Sequence, residues 1–231
     1  GAFDTVVLDA GHGGRDHGGS YGKVYEKWLA LDTAIRVEKK LKAQGFRTVM
    51  TRRSDNFITL PGRAKIGNRF PNSIFVSIHY NFTWKRDVSG LETFYCSSRS
   101  KPLAEAVQRG MLGEVRSVNR GAKYARYYVI RHAQNPAILV EGGFVSNSKE
   151  RGRTKEGSYR EAIADGIVKG ISEYQSLRRG GKAAGALRQG RRRRDGLWRV
   201  RDARRGAAAR AARVHAAGPG RCVQRQPDGR H

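Results

Sequence analysis

Three short apolar runs in this chain end on residues that can do chemistry. Thr5-Val-Val-Leu-Asp9 passes into Gly11-His12-Gly13, Ser73-Ile-Phe-Val-Ser-Ile78 into His79-Tyr80-Asn81, and Ala137-Ile-Leu-Val140 into Glu141-Gly142-Gly143. Continuous apolar runs of this length, bounded by turn residues, read as strands buried on both faces. Between them lie stretches with helical spacing. Leu29, Leu31, Ala34, Ile35 and Leu41 place a helix over Lys27–Gln44, with Gly45 as its left-handed cap. Further helices are predicted over Leu60–Phe70, with Pro61 in the first turn, from Pro102 to about Val118, and over Glu156–Gln175. The remaining strands are Phe46–Met50, Leu91–Cys96 and Tyr127–Ile130. Strands alternating with such helices predict a single α/β domain, with a mostly parallel twisted sheet of about six strands and helices on both faces. Sites in such sheets lie at the carboxyl ends of the strands, where all three polar endings fall.

Charge divides the chain in two. The formal net charge is +26, from 46 Lys+Arg against 20 Asp+Glu, and more than half of that excess sits in residues 176–231. That segment is rich in Arg, Ala and Gly and has no sustained apolar period, so it is expected to be a disordered tail beyond a folded domain of residues 1–175. Arg191–Arg194 suits polyanion binding. Arg, Ala and Gly also share GC-rich codons, so a non-native, off-frame extension would have the same composition. No apolar run approaches the roughly 18 residues of a membrane span. Two cysteines, Cys96 and Cys222, exclude a disulfide-dense scaffold and a cysteine-only metal cluster. Cys96 is expected to pack rather than react.

A zinc hydrolase needs three protein ligands, an open position and a carboxylate to carry a proton. None of the six histidines is followed by Glu, so the helical His-Glu-x-x-His pair is absent and any zinc site must be assembled from separate segments. His12 and His79 both follow strands at one sheet edge, and Glu26 lies at the start of the first long helix. Taken singly, His12 reads as a solvated loop residue and Glu26 as a helix-start carboxylate favoured by the macrodipole. Glu141 ends a buried strand, where a carboxylate needs a partner. His17, His132, His215 and His231 read as surface residues.

Six ordered motifs carry a family resemblance: Val7-Leu-Asp-Ala-Gly-His-Gly-Gly14, Glu26-Lys-Trp-Leu-Ala-Leu31, Val49-Met-Thr-Arg52, Phe75-Val-Ser-Ile-His-Tyr-Asn81, Gly90-Leu-Glu-Thr-Phe-Tyr95 and Pro136-Ala-Ile-Leu-Val-Glu-Gly-Gly-Phe-Val-Ser-Asn147. The chain resembles the zinc-dependent N-acetylmuramoyl-L-alanine amidases of the amidase-3 type over about residues 4–175. The resemblance implies one Zn²⁺ per chain held by His12, Glu26 and His79, Glu141 as the catalytic carboxylate, and substrate-binding roles for Asn81 and Arg131. It implies a peptidoglycan substrate cut between N-acetylmuramic acid and L-alanine, and a periplasmic, envelope or extracellular location. No nucleic-acid motif is visible in the body. Tyr80 departs from the family, which commonly has Ala there, and would either narrow the cleft or pack beneath it. The segment between Asn81 and Arg116 is short, leaving little room for the inserted blocking helix of some members. Two other readings stay open: a zinc peptidase cutting the stem peptide, and a basic polyanion-binding protein.

Overall fold

A computed structural model describes residues 2–196, with side chains for residues 2–180. In chain order the elements are β1 (Thr5–Ala10), the hairpin β2 (Ser20–Tyr21) and β3 (Val24–Tyr25), α1 (Glu26–Ala43), β4 (Arg47–Met50), α2 (Leu60–Asn68), β5 (Ser73–Asn81), β6 (Leu91–Tyr95), α3 (Lys101–Glu114), β7 (Asn119–Tyr124), α4 (Tyr128–Arg131), β8 (Ala137–Phe144), α5 (Ser148–Lys155) and α6 (Gly157–Gly196). Six strands form one sheet in the order β4-β1-β5-β8-β6-β7. All neighbours pair in parallel except β6 and β8, which are antiparallel. Every residue of β1 and β8 is buried, as expected of strands covered on both faces.

Alternation along the strands sorts their side chains into two layers. Val6, Leu8, Val76, Ile78, Ile138 and Val140 pack against Val37 and Leu41 of α1, Leu103 and Val107 of α3, and Ile163 and Ile167 of α6. Val7, Phe75, Phe94 and Leu139 face the other way, onto Ile66 of α2 and Val129 and Ile130 of α4. Near the strands' polar edge this second face changes character. The same alternation that places Val7, Phe75, Leu139 and Phe94 there also places Asp9, Ser77, His79, Glu141 and Glu92. Register sets Asp9 beside Ser77, His79 beside Glu141, and Glu141 beside Glu92.

Local sequence explains the helix ends. Gly45 takes φ +85°, and the N–H groups of Gly45 and Phe46 return to the carbonyls of Lys42 and Leu41, which completes the expected left-handed cap of α1. The Thr59 hydroxyl caps α2 by accepting from the Gly62 N–H at 3.1 Å, with Pro61 in the first turn. Tyr80 is fully buried and its hydroxyl lies 2.7 Å from Thr33 Oγ1, so it packs beneath the cleft rather than across it. Cys96 is half-buried against the second core layer.

Several elements differ from the sequence expectations. The run Tyr127–Ile130 is not a strand; Tyr128–Arg131 is one helical turn that buries Val129 and Ile130. The strand beyond α3 is instead Asn119–Tyr124, a sheet-edge strand without an apolar pattern. The polar helix α5 was not expected from its composition, although Asn147 caps it by accepting from the N–H groups of Lys149 and Glu150. The closing helix α6 runs past Gln175 to Gly196, through a stretch rich in the strong helix formers Leu, Arg, Ala and Gln. Residues 1–188 form one compact unit. Of the disordered tail expected over residues 176–231, residues 176–196 instead continue α6, and residues 197–231, with His215 and His231, lie outside the described residues. Among the described residues no helix is long and apolar enough to cross a membrane.

Candidate metal centre and active site

The loop after β1 holds the first site residue in an uncommon conformation. His12 has φ +59°, in the left-handed region that side chains other than Gly seldom occupy. Two buried arginines secure it. Arg63 Nη2 donates to the His12 carbonyl at 2.5 Å, and Arg63 Nη1 donates to the Ala10 carbonyl at 2.6 Å and to Asp9 Oδ1 at 2.8 Å. Arg52 donates to the carbonyls of Ala10 (2.9 Å) and Gly11 (2.7 Å). Gly11 is required by close approach, since a Cβ there would collide with the His79 ring.

These restraints bring three separate segments to one point. His12 Nε2 lies 3.1 Å and His79 Nδ1 2.7 Å from Glu26 Oε1, and the two rings stand nearly perpendicular with centroids 4.9 Å apart. One nitrogen from each histidine and one Glu26 oxygen lie within 4.8 Å of one another. The other ring nitrogens are engaged: His12 Nδ1 lies 2.8 Å from Asp16 Oδ2, and His79 Nε2 3.1 Å from Ser77 Oγ. Such outer partners fix tautomer and ring orientation at metal sites, leaving His12 Nε2 and His79 Nδ1 to face inward. Glu26 is held by the N–H groups of Gly19 (2.7 Å, to Oε2) and Tyr80 (3.1 Å, to Oε1). Burial alone would push the Glu26 carboxyl upward, but hydrogen bonds and charge from His12 and His79 outweigh it and bring the pKa down to about 2. Burial pulls the His12 imidazole down, yet Glu26 and Asp16 outweigh that and raise it above its usual value. Two imidazoles and one carboxylate, converging with their remaining atoms satisfied, form a donor set suited to zinc.

Glu141 stands beside this cluster with 7% of its surface exposed. Its Oε2 atom is buried without a hydrogen-bond partner. Burial, then the negative charges of Glu26 and Glu92, push its pKa well above the ordinary carboxylate range. Glu92, the neighbouring residue on β6, accepts from Asn81 Nδ2 (2.7 Å), Lys123 Nζ (2.7 Å) and Arg120 Nε (3.1 Å). His12, Glu26, His79, Asn81 and Glu141 line one cavity of about 340 Å³, whose apolar walls include Leu60, Phe82, Tyr127 and Tyr128. Arg131 is exposed at the end of α4 and does not line it. Sequence reasoning assigned no role to Asp16, Glu92, Arg52 or Arg63. Three of these sit inside or beside the quoted motifs, but a motif does not say which neighbour a side chain will meet. His17 and His132 are exposed, as expected.

A paired-imidazole and carboxylate cluster at the carboxyl edge of a largely parallel sheet, with a second acid held unpartnered beside it, defines a hydrolase site of the metal-dependent class. Residues 6–173 match the family described as N-acetylmuramoyl-L-alanine amidase, and the chain belongs to that family. It is 33% identical over 175 residues to N-acetylmuramoyl-L-alanine amidase LytC of Bacillus subtilis, a match covering 74% of this chain and 35% of LytC. The crystal structure of N-acetylmuramoyl-L-alanine amidase from Clostridium difficile 630 superposes with a TM-score of 0.73 at 33% identity, covering 76% of this chain and 98% of that one. N-acetylmuramoyl-L-alanine amidase AmiC2 of Nostoc punctiforme gives a TM-score of 0.72 at 37% identity, covering 76% and 99%. The chain thus spans nearly the whole of both solved chains and about a third of LytC.

Proposed function

We propose that this chain hydrolyses the amide between N-acetylmuramic acid and L-alanine in peptidoglycan, with His12, Glu26 and His79 holding one zinc ion and Glu141 carrying the proton. The observation that carries the reading is Glu141 Oε2, a buried acid atom without a partner beside a preorganised His-Glu-His donor set. When bound, zinc supplies Lewis acidity, lowering the pKa of water and offsetting charge on the amide oxygen. Glu141 accepts the proton on Oε2 as water oxygen bonds to the lactyl carbonyl carbon. It returns that proton to nitrogen as the C–N bond breaks, releasing a carboxyl on the sugar and an amine on the peptide. A carboxyl whose pKa burial raises holds the accepted proton more firmly until it is returned to the leaving nitrogen. Asp16 and Ser77 keep the two imidazoles aimed, and Arg52 and Arg63 keep the His12 backbone in place. The Asn81 amide is committed to Glu92 and to the Phe82 N–H (2.8 Å), so it shapes the cleft wall. Arg131, outside the cavity, carries no part of this proposal.

A wall substrate places the site of action in the cell envelope, and the strongly basic chain steers encounter with anionic wall polymers at low salt. The basic segment from residue 176 is proposed to add affinity for polyanions, which would weaken steeply with salt and fall on deletion of residues 176–231. Mass spectrometry of purified walls digested with the full chain tests the main reading. The expected products are stem peptides with a free L-alanine amine and no muramic acid. Fragments cut within the stem peptide would replace this reading with a peptidase.

A further inference from the structure

We infer that Trp84 forms a stacking subsite for a sugar ring of the glycan strand, just outside the cavity that holds Glu141; the inference rests on the amidase reading. Trp84 is 89% exposed, the most exposed large apolar side chain among the described residues. An indole turned into water is unremarkable at the tip of a loosely held loop, but this loop is tied down on both sides of it. The Thr83 N–H donates to Ser146 Oγ at 3.1 Å. Two positions after the indole, the Arg86 carbonyl accepts from Asn147 Nδ2 at 3.1 Å and Arg86 Nη1 donates to the Tyr21 hydroxyl at 2.6 Å. The guanidinium groups of Arg86 and Arg151 both lie over the Tyr21 ring, at 4.7 and 4.0 Å. The backbone carrying Trp84 is therefore anchored while its ring is left uncovered.

Position relates this ring to the reaction. Trp84 meets Phe82 edge-on, with centroids 5.2 Å apart and planes at 86°, and Phe82 lines the cavity. A cavity of about 340 Å³ accommodates the scissile amide and its immediate substituents but not a polymer, so the glycan must leave across its rim. Other aromatic rings at the rim are more covered: Tyr128, 37% exposed, is stacked on His132 with centroids 4.0 Å apart, and Tyr127, 45% exposed, meets Phe94 edge-on at 5.1 Å. Trp84 makes one perpendicular contact with Phe82 and stays 89% exposed, so its indole remains open to a ligand. A rigid aromatic face with a nearby polar rim suits the C–H face of a neutral N-acetylated hexose. Lys85 and Arg86 next to it disfavour a cationic peptide side chain, which favours the neutral glycan as the occupant.

The test uses the full chain and a peptide-free N-acetylglucosamine tetramer as probe, with affinity measured by calorimetry or NMR titration. Trp84→Ala should weaken tetramer binding about five- to tenfold, Trp84→Phe should recover most of it, and Trp28→Ala on α1 should leave it at the wild-type level. On purified walls, Trp84→Ala should raise KM by about the same factor, with the change carried by KM rather than kcat. Equal tetramer affinity in wild type and Trp84→Ala, no tetramer binding by the wild type, or an unchanged KM on walls would overturn the subsite. Trp84-dependent tetramer binding by a chain that fails to cut walls would keep the subsite and remove the amidase reading instead.

Discussion

Replacing Arg63 with Met should destabilise the fold and loosen the metal centre together. The Arg63 and Asp9 side chains are 3% and 1% exposed, and their ion pair is 2.8 Å long. Removing one partner from such a pair strands a buried charge, at a cost of about 3–5 kcal/mol. The His12 carbonyl also loses a donor, worth about 1 kcal/mol more, whereas the Ala10 carbonyl keeps Arg52. Against a typical total stability of about 5–15 kcal/mol this is a large share. At about 2–4 °C per kcal/mol for a domain this size, the Tm should fall by roughly 8–24 °C. Neutralising the stranded charge should recover part of the loss, so the Asp9→Asn/Arg63→Met double variant should be more stable than the sum of the single effects predicts by about 2 kcal/mol. Chelator competition should show weaker zinc binding in Arg63→Met, about ten- to a hundredfold, because the left-handed His12 has lost its backbone anchor. Thermal melts and urea titrations of the four proteins provide the cycle. An Arg63→Met chain that melts within about 2 °C of wild type, or fully additive single effects, would refute the reasoning.

Glu141→Gln should lower kcat on cell walls by about 10²–10⁴-fold while zinc content and Tm hold, checked by product release and elemental analysis. Gly166→Ala should cost about 1–3 kcal/mol in urea unfolding, because the added methyl collides with the Met111 backbone where α6 crosses α3. Burial would raise the Asp9 carboxyl, but the Arg63 charge and the Ser77 and Thr51 hydroxyls outweigh it and hold the pKa below 3.8. A depressed carboxyl stabilises the fold above its unfolded value and loses that contribution as pH falls through the folded one, so wild-type Tm should drop below about pH 4 and this limb should shrink in Asp9→Asn.

The site was more legible in sequence than the edges of the fold, for a physical reason. His12, His79 and Glu141 are marked by strands so strongly apolar that a polar residue at their carboxyl ends stands out, and β1 and β8 are buried at every position. The strand Asn119–Tyr124 borders only β6 and carries Asn, Arg, Gly and Lys, so it shows no such contrast. Tyr127–Ile130 has strand-like composition, but burying Val129 and Ile130 against α2 needs only one helical turn. The supporting shell was the least legible part. Arg63 reaches Asp9 across 54 residues and Glu92 meets Asn81 across 11, and those encounters follow from register and helix placement rather than from any local spacing.

His12, Glu26 and His79 are proposed to share one ion. Zinc titration of the metal-stripped full chain, with elemental analysis and the variants His12→Ala, Glu26→Ala and His79→Ala, tests this most directly. One zinc per wild-type chain is expected, with affinity falling at least about a hundredfold on loss of any one of the three side chains. A wild type that binds no zinc, or single variants that bind it as tightly as the wild type, would contradict the assignment.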